Sequence, residues 1–122
     1  MANLEKIVLS DKFAAFDTYW DPKVAGELNG QQVRLAKLKG DFVWHSHEHE
    51  DELFLVVKGH LRIELRDGHV ALGPGEMVIV PRGVEHRPVA DEEVHVVLFE
   101  PAETRNTGQH SNERTVSTLD RI

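Results

Sequence analysis

From Gln31 to Phe99 the chain is repeatedly cut by glycine and proline, and this punctuation restricts the fold more than any other feature. The apolar, β-branched segments Leu53–Val57, Leu61–Arg66, His69–Leu72, Met77–Val80 and Val94–Phe99 are separated by Lys58-Gly59, Asp67-Gly68, Gly73-Pro74-Gly75 and Pro81-Arg82-Gly83. Each segment is too short for a typical helix, and Leu61 to Arg66 alternates strictly between apolar and polar, the period of a half-buried strand. Gln32–Lys39 is β-like without clean alternation. Gly40-Asp41 reads as a turn into Phe42–His47, where Val43, His45 and His47 share one face and Phe42 and Trp44 the other. Apolar residues on both faces suit a sandwich or barrel wall. The expectation is an all-β, antiparallel β-barrel or two-sheet jelly roll with no internal repeat.

At 122 residues, one domain spanning 1–122 is the simplest organisation, with a barrel core over about 31–100 and arms at 1–30 and 101–122. Thr115-Val116 is a candidate for edge pairing in the second arm. Phe13, Phe16, Tyr19 and Trp20 put several of the chain's few aromatics together. Packing on the chain's own core is the first expectation for them, and a homodimer contact the second. The chain has no cysteine, so thiolate metal sites, iron–sulfur clusters and cysteine nucleophiles are excluded. A formal charge of −7 argues against nucleic acid as a partner, because phosphate binding needs a clustered positive field. The N-terminus lacks a signal-peptide pattern and no apolar stretch is long enough to span a membrane, so a cytoplasmic protein with no membrane partner is expected.

The chemistry concentrates in Gly40–Glu52, answered by Gly75–His86. His45 and His47 stand two apart, so on an extended chain both imidazoles leave the same face. Glu52 follows at the start of the next apolar segment, where a charge must stay wet or be paired. His86 lies beyond Pro81-Arg82-Gly83. Imidazole and carboxylate together suit one divalent transition metal, Fe, Mn, Ni, Co, Cu or Zn. The bland alternative is a polar loop with exposed histidines and no ligand. His49 is the rival for a ligand place; Glu48, Glu50 and Asp51 read as a solvated acidic rim, and His60, His69 and His110 as surface residues.

These residues carry a resemblance. His45-x-His47, four residues, Glu52, six residues and Gly59 resemble the first motif of the cupin family, and Gly75, five residues, Pro81-x-Gly83, two residues and His86 resemble the second. Gly40 lies one residue nearer to His45 than the family pattern asks, and Ala90 stands where that pattern ends in Asn. The resemblance covers Gly40 to Ala90 with flanking strands on each side. It implies a small single-domain cupin of the mannose-6-phosphate-isomerase-like kind, with His45, His47, Glu52 and His86 as metal ligands inside the barrel and His49 outside the ligand set. Four protein ligands in an octahedral shell would leave two positions for water, substrate or oxygen.

The fold hosts many unrelated reactions. The leading expectation is a metal-dependent enzyme acting on a small-molecule substrate, either a dioxygenase-like oxidoreductase or a sugar- or sugar-phosphate-isomerase-like enzyme. The alternative is a non-enzymatic small-molecule or metal-binding module. His95 is a candidate acid or base if its face, shared with Val97 and Phe99, looks inward. Arg34, Arg62 and Arg82 are candidates for anchoring an anionic substrate on the same condition.

Overall fold

The computed structural model describes residues 4–108, 113–116 and 118–122. Its elements are one short helix, α1 (Leu9–Phe13), and seven strands: β1 (Lys23–Leu28), β2 (Gln31–Asp41), β3 (Glu52–Lys58), β4 (Leu61–Leu65), β5 (Gly68–Leu72), β6 (Met77–Val80) and β7 (Arg87–Pro101). Every strand pairing is antiparallel. The order is β1-β2-β7-β3-β6, with β4 joining β5 to β7. The expected all-β jelly roll is present, as a curled sheet whose ladder does not close into a complete ring.

The curl comes from β7, which changes partners along its length. Arg87–Val89 pair with β4, while the stretch from Val94 runs between β2 and β3, so that Phe99 faces Val33 on one side and Leu53 on the other. Period-two alternation sends Arg34, Ala36 and Leu38 of β2, Glu52, Phe54 and Val56 of β3, Leu61 and Ile63 of β4, and Val94, Val96, Leu98 and Glu100 of β7 into one interior. Most of that interior is apolar and supplies the main driving force for folding. A few polar groups interrupt it, and they define the candidate site.

Several sequence expectations are corrected here. Gly40-Asp41 is not a turn: β2 continues through it, with a bulge between Leu38 and Gly40 and a left-handed Gly40 (φ 85°). Gly40 and Ala90, the two departures from the family pattern, are direct register partners across β2 and β7. Phe42–His47 is extended chain rather than a ladder strand, tied across by Phe42 N–H to Pro88 O (3.0 Å) and by the reciprocal pair His45 N–H to His86 O (3.0 Å) and His86 N–H to His45 O (2.9 Å). β7 starts at Arg87 rather than Val94, because the exposed Asp91-Glu92-Glu93 hides the alternation where the strand crosses between its partners. The hairpin loop after β4 is Arg66-Asp67, with Gly68 already opening β5.

Both arms are structured where described. Asn29 and Gly30 take left-handed conformations (φ 52° and 77°) and turn β1 onto β2, an Asn-Gly hairpin inside the segment expected to be an arm. At the other terminus it is Arg121, not Thr115-Val116, that pairs at the edge: Val24 N–H donates to Asp120 O (2.8 Å) and Ile122 N–H to Val24 O (3.0 Å). Trp20 is buried in the chain's own core, stacked on Phe42 at 4.8 Å with its indole N–H on Lys39 O (2.9 Å). A charge at this position would therefore disrupt the core rather than report on a subunit contact. Among the described residues no helix is long and apolar enough to cross a membrane. His110 lies outside the described residues.

Gly59 gives a first test of the fold. Its φ is +88°, and a Cβ there would stand 2.7 Å from Glu93 O and 3.2 Å from Val94 Cγ2. Gly59→Ala is expected to cost about 1–3 kcal/mol of stability through the strained conformation. Urea unfolding of the variant that matches the parent would contradict the tight β3–β4 connection.

Candidate metal centre

The site is assembled by three ties, each made by backbone N–H groups. The reciprocal His45–His86 pair brings the loop before β3 against the segment before β7. Gly83 N–H donates to His47 O (2.8 Å), and Arg82 N–H donates to Asp51 Oδ1 (2.9 Å). Together they fix the Pro81-Arg82-Gly83 turn beside the histidine loop. His45, His47, Glu52 and His86 are thereby all buried, at 2 %, 3 %, 4 % and 0 % exposure, and one ligand atom from each lies within 4.8 Å of all the others. His47 Nε2 is 3.3 Å and His86 Nε2 3.6 Å from Glu52 Oε1.

The second nitrogens orient two of the rings. His45 Nδ1 is 2.9 Å from Val43 O and His86 Nδ1 2.9 Å from Val84 O. A carbonyl can only accept, so in both rings Nδ1 carries the proton and Nε2 keeps its lone pair for the centre, the arrangement expected of a metal-binding histidine. Among the described residues, His47 Nδ1, His47 Nε2, His86 Nε2 and Glu52 Oε1 are all buried without a hydrogen-bond partner. Buried polar atoms normally have one. A divalent ion would satisfy three of these four, and nitrogen and carboxylate donors fit such an ion.

Electrostatics agree with a neutral His45 imidazole facing a charged Glu52 carboxylate. Burial, and then the neighbouring His86, push the His45 imidazole from its usual 6.5 down to about 4. Burial alone would raise Glu52, but its contacts with Glu100, His47 and His86 outweigh that and hold the carboxyl well below the usual range. Glu100 goes the other way: burial and the Glu52 charge raise it well above the carboxylate range, against the pull of Arg34.

A pH dependence follows for the metal-free protein. The folded chain keeps His45 neutral at pH values where the unfolded chain takes up a proton, so stability is lost as pH falls from 6.5 toward 4. Between pH 7 and 5 this amounts to about 2 kcal/mol. Urea midpoints at the two pH values, compared with those of His45→Phe, measure it. An equal drop in both proteins would show that His45 is not responsible.

The other sequence candidates fall outside the cluster. His49 is exposed beside Glu48 (3.7 Å). His60 and His69 are exposed, the latter within β5. His95 is on the outer face of β7, stacked on Phe13 (4.6 Å) and held to Glu93 (2.7 Å), which also accepts the Tyr19 hydroxyl (2.7 Å). The inner face carries Val94, Val96, Leu98 and Glu100 instead. Of the arginines, Arg34 points inward, yet its guanidinium is taken up by Gln32, Glu100, Ala102 and Thr104. Arg62 pairs with Glu64 and Asp91, and Arg82 with Asp51, at the surface.

Glu100 is the site residue that the sequence reading missed. With His45 and Glu52 it lines a cavity of about 30 Å³ whose other walls include Trp20, Leu38, Phe42, Phe54, Leu98 and Asn106. Its signal was available: a carboxylate continuing the apolar face Val94, Val96, Leu98 at the same two-residue step. A Cβ on the left-handed Gly108 (φ 62°) would collide with Ser46 O, so the C-terminal segment lies directly against the backbone between His45 and His47.

The cupin-domain family model matches residues 31–113. The chain belongs to the cupin family. A cupin-2 domain-containing protein from Shewanella frigidimarina is 45% identical, with 78% of this chain and 93% of that one covered and a TM-score of 0.77. Protein NMB1881 from Neisseria meningitidis is 35% identical over 80% of this cupin and all of that chain, with a TM-score of 0.73. The uncharacterized protein YdbB of Bacillus subtilis is 40% identical over 62 residues, which are 50% of this chain and 55% of that protein, so the match spans about half of that relative's length.

Proposed function

We propose that this cupin is a metal-dependent enzyme acting on a small uncharged molecule, with His45, His47, Glu52 and His86 holding one divalent transition metal, Fe, Mn, Ni, Co, Cu or Zn. The observation that carries this is the convergence of four buried ligand atoms within 4.8 Å, three of which come from residues with no hydrogen-bond partner for them among the described residues. When bound, such an ion supplies a Lewis acid, and a redox couple if it is iron, manganese or copper.

The chain's own residues set what can approach. Val43 and Val84 carbonyls hold two imidazoles in position, and the apolar wall of Trp20, Leu38, Phe42, Phe54 and Leu98 excludes water from one side. Among the described residues the cavity lining carries two carboxyl groups, Glu52 and Glu100, and no lysine or arginine. The phosphate of a sugar phosphate would find no lysine or arginine there beside the ion itself, since the nearby Arg34 is already taken up by Glu100 and by the Ala102 and Thr104 carbonyls. This favours the dioxygenase-like reading over the sugar-phosphate-isomerase reading.

A second reading, a non-enzymatic metal-binding module, is supported by the small cavity. It has room for roughly one or two waters, so a larger substrate needs side chains to move aside. Elemental analysis of untagged protein, followed by oxygen-uptake assays over uncharged aromatic and aliphatic substrates and isomerisation assays with sugar phosphates, separates these readings. One metal per chain with substrate-dependent oxygen uptake is the expected result. Turnover of sugar phosphates instead would overturn the charge argument, metal without any turnover would leave the binding module, and protein that takes up no metal would remove both.

A further inference from the structure

Glu100 sits at 1 % exposure in the wall of the candidate centre, and its surroundings assign it a task. One oxygen, Oε1, accepts a hydrogen bond from Arg34 Nη1 at 2.7 Å. Arg34 is itself immobilised: Nε donates to Gln32 Oε1 (2.9 Å), Nη1 also to Thr104 O (2.8 Å) and Nη2 to Ala102 O (2.9 Å). The guanidinium is thus fixed from β2 and from the segment after β7, and it fixes Glu100 in turn. Among the described residues Glu100 Oε2 is buried with no N–H or hydroxyl donor on it, and Glu100 and Glu52 line the same cavity of about 30 Å³, which brings their carboxyl groups together. Glu52 Oε1 faces His47 and His86.

We infer that Glu100 is a positioning residue: anchored by Arg34, it holds the Glu52 carboxyl so that Oε1 is presented to the three imidazoles. This rests on the proposed metal site and goes beyond it, because it names what orients the only oxygen ligand. A hydrogen bond between two carboxyl groups needs one hydrogen, so Glu100 must serve as donor toward Glu52 while remaining an acceptor for Arg34. Glutamine can play both parts, accepting from Arg34 through its oxygen and donating to Glu52 through its amide. Methionine of similar volume can play neither. Aspartate keeps the chemistry but withdraws the carboxyl by one methylene.

The test is Co²⁺ titration of the full chain, following affinity and the visible absorption bands that report coordination geometry, with far-UV circular dichroism to confirm folding. Glu100→Gln should bind Co²⁺ within about threefold of the parent, with unchanged bands. Glu100→Met and Glu100→Asp should bind about 10–100-fold more weakly, the usual effect of losing the partner that orients a ligand, with shifted bands. Parental affinity and bands in folded Glu100→Met would overturn the inference. If Glu100→Met does not fold, the same result in Glu100→Asp overturns it. A parent chain that takes up no cobalt overturns the metal site and this role together, whereas a parent that binds alongside an indifferent position 100 overturns the positioning role alone.

Discussion

His47→Ala and His86→Ala lose bound divalent metal, and His49→Ala keeps it. Both residues to be removed are buried, with Nε2 atoms 3.3 and 3.6 Å from Glu52 Oε1, whereas the His49 side chain is 79% exposed, beside Glu48. Removing either buried imidazole deletes a bond to the ion. An outer contact costs about 10–100-fold in affinity, so a lost ligand should cost more than about 100-fold. Binding by the parent should also weaken as pH falls toward 4, where the His45 imidazole takes up a proton, since a protonated imidazole cannot ligate. The measurement is metal content and Co²⁺ affinity of the three variants prepared identically. If His49→Ala alone is depleted, the ligand assignment fails.

Arg34→Met destabilises the chain by about 3 kcal/mol, since the buried Glu100 Oε1 loses a charged donor at 2.7 Å and an unsatisfied buried acceptor costs about 1–3 kcal/mol. Arg34 and Glu100 are each 1 % exposed, so no water replaces the lost guanidinium. The change also leaves Gln32 Oε1, Ala102 O and Thr104 O without their donor, and an unsatisfied buried acceptor carries its own cost. Urea unfolding of the metal-free protein at pH 7 measures the loss. Adding Glu100→Met should recover part of it, because two apolar side chains need no pairing. A single-variant loss below about 1 kcal/mol would show that the pair is not closed off from solvent as the structure has it.

Much of the fold could be read in the chain. Leu61–Arg66 alternates, Lys58-Gly59 and Pro81-Arg82-Gly83 interrupt, and the resulting strands form where the residues say they should. Errors arose where local pattern was ambiguous. Gly40 looks like a turn but is a bulge, since a glycine with positive φ serves either purpose and only the ladder to Val89 and Ala90 decides. Lys23–Leu28 has little β-propensity of its own and becomes a strand by pairing with β2. Asp91–Glu93 interrupts the apolar alternation of β7 because that stretch is exposed between two sets of partners.

The candidate site divides along the same line. His45 and His47 are legible because two residues on one extended stretch share a face, a purely local fact, and the motif spacings extend it to Glu52 and His86. Which face of β7 lies inside is not local. A one-residue choice exchanges His95 for Glu100 in the interior, and it is settled only by packing β2, β3 and β7 around a common core. The sequence by itself determined the kind of donors and the strands that carry them. Tertiary structure decided that Arg34 anchors Glu100, that Glu100 meets Glu52, and that His95 faces outward, because these depend on residues 48 to 66 positions apart being buried together.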